Sequence, residues 1–234
     1  NRTITNDGNS DLQPDFLWGK SRSFAEDHNL VNTSVGVTKH LVSNSSAAEV
    51  TDTDRVTGVT SNGFSIGTDH RWNRESNSNM AVWQWKANGG TTTTNDASAT
   101  GIGNTDSVYQ ANTEAGFSIV TFSGSDAKGD SSFSAPTSTV FGYNGSNNYV
   151  VYCFRSIKGY SKIGTYTGNG STNGTFTYTG FKPAWIISKR TDASADWHMY
   201  DNKREPDNPL SLTIFPNGAS AEASGDALDF LSNG

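Results

Sequence analysis

Apolar and polar residues alternate over short stretches of this chain, which is the period of a β-strand. Two such stretches, residues 14–20 and 183–189, begin with proline and end with lysine. In the first, Phe16 and Trp18 lie on one face and Leu17 lies on the other. A strand that is apolar on both faces belongs in the middle of a layered structure, and proline at its first position needs no ladder donor. The pattern predicts a central strand at each place.

Other stretches predict further strands and very little helix. Residues 80–86 and 149–155 alternate aromatic with smaller side chains. Residues 116–124 and 159–168 are aromatic stretches bounded by glycine, and the second is one residue longer, which indicates a β-bulge. A turn or two near residues 220–227 is the one helical candidate.

The same blocks occur in the same order at both ends of the chain, while the connections between them differ in length. Such self-similarity indicates a structural module that is used more than once, with the length changes confined to surface loops. We therefore expect the backbone of residues 14–63 to superpose on that of residues 183–234, with the same connectivity. The matching blocks are residues 1–5 with 173–177, 14–20 with 183–189, 44–49 with 217–222, and 61–63 with 232–234.

The repeat predicts two modules. The first, residues 1–111, lacks its opening strand and ends in a polar, glycine-punctuated linker at about residues 87–114. The second, residues 112–234, contains a shortened middle unit at 116–154 and a C-terminally truncated repeat at 155–234. This pattern is expected of an excerpt from a longer polypeptide. A segment missing from the sequence between Ser123 and Thr139 would explain the short middle unit equally well.

Composition favours an all-β fold built from repeated β-sandwich modules. Hydrophobic residues make up 33% of the chain and charged residues 17%, and much of the rest is Gly, Ser, Thr and Asn. These residues suit short strands joined by polar turns rather than helices. Six Trp, eight Tyr and twelve Phe supply bulky core material.

Charge, hydropathy and cysteine usage exclude several classes of protein. A net charge of −6 without a basic run excludes the basic surface patch that is typical of a nucleic-acid-binding protein. No apolar stretch approaches the ~20 residues of a membrane helix, so membrane insertion is not expected. The single cysteine, Cys153, excludes an internal disulfide and is expected to be a small buried group. Stability must then come from packing or from association with other chains.

Motifs for catalysis, metals or cofactors are missing from the sequence. The four histidines form no His-Glu-x-x-His motif, and there is no Gly-x-Ser-x-Gly elbow. We expect no catalytic residue, no metal site and no cofactor. Glu49 and Glu222 occupy matched positions in the repeat and are the tempting pair for glycoside hydrolysis. Matched positions are usually structural, so these glutamates are expected to satisfy turn backbone.

Two aromatic–amide pairs, Trp72-Asn73 and Tyr143-Asn144, precede the predicted aromatic strands and are flanked by polar residues. An aromatic ring at a loop tip stacks on a sugar while the neighbouring amide bonds its hydroxyls. These four residues are the candidate ligand-binding site. The alternative is that each ring caps the edge of the sandwich core.

Most of the chain resembles a tandem β domain of structural proteins from tailed bacteriophages, especially marine and cyanobacterial phages and related prophages. The resemblance implies a concanavalin-like or jelly-roll sandwich on a virion fibre or surface appendage, and it supplies no catalytic residues. The similar segments are residues 159–170, 180–191 and 229–234, with 14–22, 61–67 and 81–86 in the first copy.

The expected function is that of a virion structural protein, part of a tail fibre or surface appendage, whose exposed loops adhere to host-surface glycans. The alternatives are a virion-associated polysaccharide depolymerase and a bacterial extracellular adhesin of prophage origin. Expected partners are copies of the same chain, most plausibly in a trimer, and other virion proteins. Large side chains expected to be mostly buried, together with Cys153, are Phe16, Trp18, Trp83, Trp85, Tyr152, Phe154, Trp185 and Ile187.

Overall fold

A computed structural model describes residues 1–8, 10–74, 78–124, 133–134, 137, 140–143 and 147–234. The described chain is nearly all β, which confirms the expected fold class. The strands are β1 (Arg2–Thr5), β2 (Phe16–Ser21), β3 (Asn29–Asn32), β4 (Lys39–Leu41), β5 (Val50–Thr51), β6 (Val56–Thr60), β7 (Gly63–Ile66), β8 (Met80–Trp85), β9 (Thr93–Asn95), β10 (Ser107–Asn112), β11 (Phe117–Ser123), β12 (Phe133–Ser134), β13 (Gly142–Tyr143), β14 (Asn148–Phe154), β15 (Trp185–Lys189), β16 (Trp197–Asp201), β17 (Leu210–Thr213) and β18 (Ala223–Leu228), with one helix, α1 (Ala97–Thr100).

Three sheets form three layers in the first two thirds of the chain. The central sheet has the order β5-β4-β3-β2-β8. Leu17 and Val31 on one face pack against the sheet β1-β7-β6. Phe16 on the other face packs with Phe117 and Ile119 of the sheet β14-β11-β10-β9. The predicted position of β2 in the middle of a layered structure is confirmed, because a strand between two cores needs apolar side chains on both faces.

The C-terminal strands repeat the pairing of the central sheet. In the first unit, which comprises β1 to β8, Leu17 of β2 lies opposite Val31 of β3. In the second unit, β15 to β18, Ile186 lies opposite Tyr200. The same number of positions separates Leu17 from Ile186 and Val31 from Tyr200, so the second pair is the repeat counterpart of the first. Both strand pairs are antiparallel and in the same register, as the repeat predicts.

Strands β4 and β5 of the first unit pair in the same register as β17 and β18 of the second. Lys39 lies opposite Thr51 between β4 and β5, and Leu212 lies opposite Ser224 between β17 and β18. The number of positions between matching residues is larger here than in the preceding strands. The extra residues therefore lie in the loop between β16 and β17, which corresponds to the loop between β3 and β4, where a longer connection does not disturb the ladder.

The segment expected to be a linker contains regular secondary structure. Residues 87–114 contain β9, α1 and β10, and the boundary expected after residue 111 falls inside β10. The threonine-rich sequence forms strand β9 because it pairs with β10, which in turn pairs with β11 along its whole length. The side chain of Asp96 starts α1 by accepting hydrogen bonds from the backbone N–H groups of Ser98 and Ala99.

Two other element predictions are wrong. The helical candidate at residues 220–227 is mostly β18, since pairing with β17 outweighs the helix propensity of alanine. Residues 159–168 were expected to form a strand, but they form no strand in the structure, so the expected bulge is absent from this described segment.

Burial follows the prediction for most of the large side chains. Phe16 is fully buried, and Phe154 is 42% exposed because its ring packs on Trp85 and Phe117 from one side only. The expectation for Phe154 is therefore wrong. No helix in the described ranges is long and apolar enough to cross a membrane. The other residues that were expected to be mostly buried are half-buried: Trp18, Trp83, Trp85, Tyr152, Cys153, Trp185 and Ile187.

Candidate functional site

Trp72 does not lie at a loop tip. Its ring is 4% exposed and belongs to the core cluster that includes Leu17 and Val31. It meets the ring of Phe64 edge-on, with 5.9 Å between the ring centroids. The expected exposure is wrong, and the ring caps the sandwich core instead. A buried indole offers no face on which a sugar can stack.

Asn73 lines an open cavity of about 340 Å³ together with Thr68, His70 and Arg74. Its side-chain N–H donates to the backbone oxygen of Gly67 at 2.7 Å, which closes the loop. The amide therefore has a structural role at the end of β7.

The second predicted pair is described only in part. The backbone of Tyr143 lies in β13, which pairs with β12. The side chain of Tyr143 and all of Asn144 lie outside the described residues.

A groove of about 210 Å³ lies where the ends of three strands meet, at the last residues of β8 and β10 and the first residue of β11. Phe117 forms part of its floor and is 3% exposed, while Tyr160 stands at its rim and is 58% exposed. Trp85 also lines the groove, and its ring stacks on Phe16 with centroids 5.1 Å apart. Further aromatic rings pack on Trp85 and hold it in place, whereas the side chain of Tyr160 is exposed to solvent.

Polar groups surround these rings. Asp11, Lys86 and Asn112 all line the groove. The Asn112 side chain accepts a hydrogen bond from the backbone N–H of Ala115 at 3.0 Å and donates to the backbone oxygen of Lys86 at 3.4 Å. Asn112 therefore joins the end of β8 to the turn between β10 and β11, which gives the groove a defined shape.

The groove offers aromatic rings for stacking together with hydrogen-bond donors and acceptors. Lys86 supplies donors, and the carboxylate of Asp11 supplies acceptors. Asp11 is the one carboxylate among the described residues that line the groove. General acid–base hydrolysis of a glycoside usually employs two carboxylates.

Glu49 and Glu222 each form ion pairs. Glu222 accepts from Arg22 at 2.8 Å and from Arg204 at 2.6 Å. Glu49 lies 3.0 Å from the ammonium of Lys39. The expectation that they satisfy turn backbone is wrong, because both neutralise cations instead. Within the described chain, no group of three or more His, Cys, Asp or Glu side chains is placed to hold a metal ion.

The groove residues carry no sequence pattern that marks them as a site. Trp85 and Tyr160 both lie in predicted strand blocks, where an aromatic residue is usually a core residue. Only the meeting of strand ends distant in sequence leaves Tyr160 exposed beside Asp11 and Lys86. The nearest sequence signal for this exposure is that Tyr160 directly follows Gly159 at the start of its block.

Comparison with known proteins agrees with the internal repeat. No curated protein and no solved structure matches the chain. One family model matches twice in tandem, over residues 2–141 and 127–234, and the two matches together span almost all of the sequence. The overlap lies C-terminal to the module boundary expected from the sequence. The chain belongs to the family described as Domain of unknown function (DUF7483).

Proposed function

We propose that this chain is a structural protein of a bacteriophage virion, part of a tail fibre or surface appendage, and that it adheres to host-surface glycans. The observation that carries the adhesive part is the groove in which the exposed Tyr160 stands beside Trp85, Asp11 and Lys86. The virion part is supported by the resemblance of the repeated blocks to phage structural proteins. Tandem repetition of one β module also suits an elongated appendage.

The chemistry of the groove fits a sugar. Sugars present apolar C–H faces that pack on aromatic rings, while their hydroxyls both donate and accept hydrogen bonds. At about 210 Å³ the groove is smaller than the pockets of roughly 300–1,000 Å³ that drug-sized ligands occupy. A short part of a glycan is therefore the ligand of matching size.

A single shallow groove binds weakly, so adhesion needs several copies. Linking binding sites raises the overall affinity by roughly 10²–10⁴ without any new contact. A symmetric assembly of identical chains, with a trimer as the first candidate, supplies those copies on the virion surface. Other virion proteins are the expected partners at its ends.

Two alternatives share the β modules and differ in testable ways. A virion-associated depolymerase requires a second carboxylate near Asp11, on the scale of ~5–9.5 Å between carboxyl groups. A bacterial extracellular adhesin of prophage origin would use the same groove outside a virion. Neither has a specific observation in its favour.

The adhesive role is tested by replacing the exposed ring of the groove. Tyr160→Ala should lower binding of the purified chain to host cell-surface polysaccharide by ~10-fold or more, because it removes the exposed ring on which the sugar stacks. Tyr178→Ala is the matched control, because Tyr178 is 67% exposed and is not among the groove residues. Unchanged binding by Tyr160→Ala would contradict the adhesive role of the groove.

The virion role is tested separately. Native particles are purified and their proteins identified by mass spectrometry, and this chain is expected among them. Its absence from intact particles would rule out a virion component. Release of reducing sugar ends from the same polysaccharide by the purified chain would replace adhesion with depolymerase activity.

A further inference from the structure

Charge is unevenly distributed along the chain. The sequence contains 23 acidic and 17 basic residues, but none of the acidic residues lies between positions 131 and 191. Six basic residues lie in that stretch and give it a net charge of +6, while the remaining 11 basic and 23 acidic residues give −12 elsewhere. A stretch with cations alone attracts anions, and the fold decides where that attraction acts. The six residues are Arg155, Lys158, Lys162, Lys182, Lys189 and Arg190.

The first cation of this stretch lies beside the groove. The guanidinium of Arg155 donates from Nη2 to the backbone oxygen of Thr113 at 3.0 Å, in the turn between β10 and β11. The chain approaches this turn closely, because a Cβ atom at Gly116 would lie 2.8 Å from Cγ1 of Ile157. The residues on both sides of Gly116 line the groove. The segment that carries Arg155 therefore passes along the edge of the groove.

A short closed turn keeps two more cations near the groove. The backbone N–H of Ile157 donates to the oxygen of Ser161 at 2.8 Å, and the N–H of Ser161 donates back at 2.9 Å. Tyr160, which lines the groove, lies inside this turn. Lys158 precedes it by two residues and Lys162 follows it by two, and both lysines are exposed. The turn thus places a positive charge on each side of Tyr160.

These cations lack carboxylate partners. Together with Lys86, which lines the groove directly after β8, they make up the four groove cations: Lys86, Arg155, Lys158 and Lys162. Among the described residues, none of the four forms an ion pair. The carboxylates nearest in the structure's layout are Asp11 in the groove and Glu114 in the turn between β10 and β11. Four cations against two carboxylates leave an excess of positive charge.

We propose that the groove selects an anionic glycan, whose sugar residues carry carboxylate or sulfate groups. Anionic selectivity rests on the proposed adhesive function and narrows the class of sugar. Lys86 binds the anionic group of the sugar that packs on Tyr160, because both side chains line the same groove of about 210 Å³. Asp11 accepts hydrogen bonds from the hydroxyls of that sugar.

The other groove cations bind anionic groups on neighbouring sugars of the polymer. Arg155 uses one donor on Thr113, which leaves the rest of its planar fork for the oxygens of an anion. Lys158 supplies a flexible point charge close to Tyr160. Because the rest of the chain is acidic, a polyanion is repelled there and guided to the groove.

The test compares host cell-surface polysaccharide before and after removal of its charge. One sample has its carboxyl groups reduced to alcohols, a second has its sulfate esters removed, and mock-treated polysaccharide is the control. Removal of the recognised group should weaken binding of the purified chain ~10-fold or more, and the sample affected shows whether that group is carboxylate or sulfate. Raising sodium chloride to about 1 M, where the Debye length is ~3 Å, should weaken binding of the untreated polysaccharide.

A matched pair of variants locates the effect in the groove. Lys86→Gln should weaken binding of the untreated polysaccharide ~5-fold or more, because it removes a charged hydrogen-bond donor from the groove. It should leave binding of the discharged polysaccharide unchanged. Lys182→Gln removes the same charge from the same acid-free stretch, and Lys182 is exposed and is not among the groove residues. It should keep the affinity of the wild type.

Three results would overturn anionic selectivity. Equal binding of treated and untreated polysaccharide would do so while leaving the adhesive function in place. Equal losses in Lys86→Gln and Lys182→Gln would show attraction by overall charge instead of by the groove. Single-stranded DNA that competes as well as the polysaccharide, and loses as much in Lys86→Gln, would show that any polyanion is bound. Failure to bind the untreated polysaccharide at all would contradict the adhesive function and the selectivity together.

Discussion

His28 is an ionisable side chain that the fold holds in its neutral form. It is 0% exposed, and its Nδ1 accepts a hydrogen bond from the indole N–H of Trp18 at 2.8 Å. Because an indole only donates, the ring proton of His28 is on Nε2, which donates to the backbone oxygen of Phe215 at 3.0 Å. Burial, together with the smaller effect of the nearby charge of Lys20, lowers the pKa of His28 to about 4.

This histidine predicts a loss of stability in mild acid. With its pKa lowered from 6.5 to about 4, the folded chain binds fewer protons than the unfolded chain within that window. The contribution is complete above pH 6.5 and is lost as the pH falls towards 4, up to roughly 3 kcal/mol. Urea unfolding across this range should show a smaller dependence on pH for His28→Gln than for the wild type.

The control for this prediction is His70→Gln, since the side chain of His70 is 55% exposed. It should keep the pH dependence of the wild type. Equal pH dependence in His28→Gln and the wild type would contradict the assignment of the effect to His28.

Lys20 explains why β2 and β15 both carry a lysine near their C-terminal ends. Its ammonium donates to the backbone oxygen of Ser21 at 2.7 Å, and Lys189 donates to the oxygen of Arg190 at 2.8 Å. Burial lowers the pKa of Lys20 to about 8, although Glu26 and Asp27 oppose the shift. In both units the lysine satisfies the carbonyl group that follows its strand.

At the scale of elements, the packing of Trp72 on β2 depends on Gly19, which has no side chain. A Cβ atom at Gly19 would lie 2.4 Å from the ring of Trp72. The repeat counterpart of Gly19 is Ser188, so the requirement for glycine belongs to the first unit alone. The buried indole of Trp72 occupies the space above β2.

Gly19→Ala should therefore destabilise the chain by about 1–3 kcal/mol through overpacking, measured by urea unfolding. Gly58→Ala in β6 is the control for the added methyl group, because no atom lies within 4 Å of a Cβ built there. If Gly19→Ala loses no more stability than Gly58→Ala, the contact with Trp72 does not constrain β2.

Elements with a strong apolar pattern were predicted well, and those defined by pairing were not. The blocks that became β2, β8, β14 and β15 carry their own alternation of side chains. In contrast, β18 contains Ala, Ser, Gly and Asp and forms because β17 lies beside it. Local sequence does not specify strands whose stabilisation comes from a neighbour distant in the chain.

At the scale of the whole molecule, buried ion pairs and hydrogen bonds join the two units. Trp83 of β8 donates to Asp201 at the end of β16, at 3.0 Å. Arg204 lies 2.6 Å from both Asp201 and Glu222, and Arg22 completes the group through Glu222. Because these residues come from both units, the group holds the units together.

Glu222→Gln should cost about 3–5 kcal/mol of stability, because it leaves Arg204, whose side chain is 4% exposed, without one of its compensating charges. Glu49→Gln is the matched control from the same repeat position. Its pair with Lys39 is partly exposed, with 44% of the lysine side chain accessible, so the cost should stay below ~1 kcal/mol. Equal losses in the two variants, measured by denaturant unfolding, would contradict a supporting role for the interface.

The predicted central place of β15 is wrong, because β15 lies in a two-stranded sheet. The sequence by itself determined the fold class, the repeat and the central place of β2. Each of these follows from side-chain periodicity, which depends on near neighbours and is therefore readable along the chain. Tertiary structure decided that Trp72 is a core residue, that residues 87–114 contain two strands, and that Tyr160 and Trp85 line the same groove. It also decided that Glu49 and Glu222, equivalent in sequence, lie in different electrostatic surroundings. The physical reason is that exposure and charge compensation depend on contacts between segments far apart in sequence, and two copies of one pattern acquire different neighbours when they pack together.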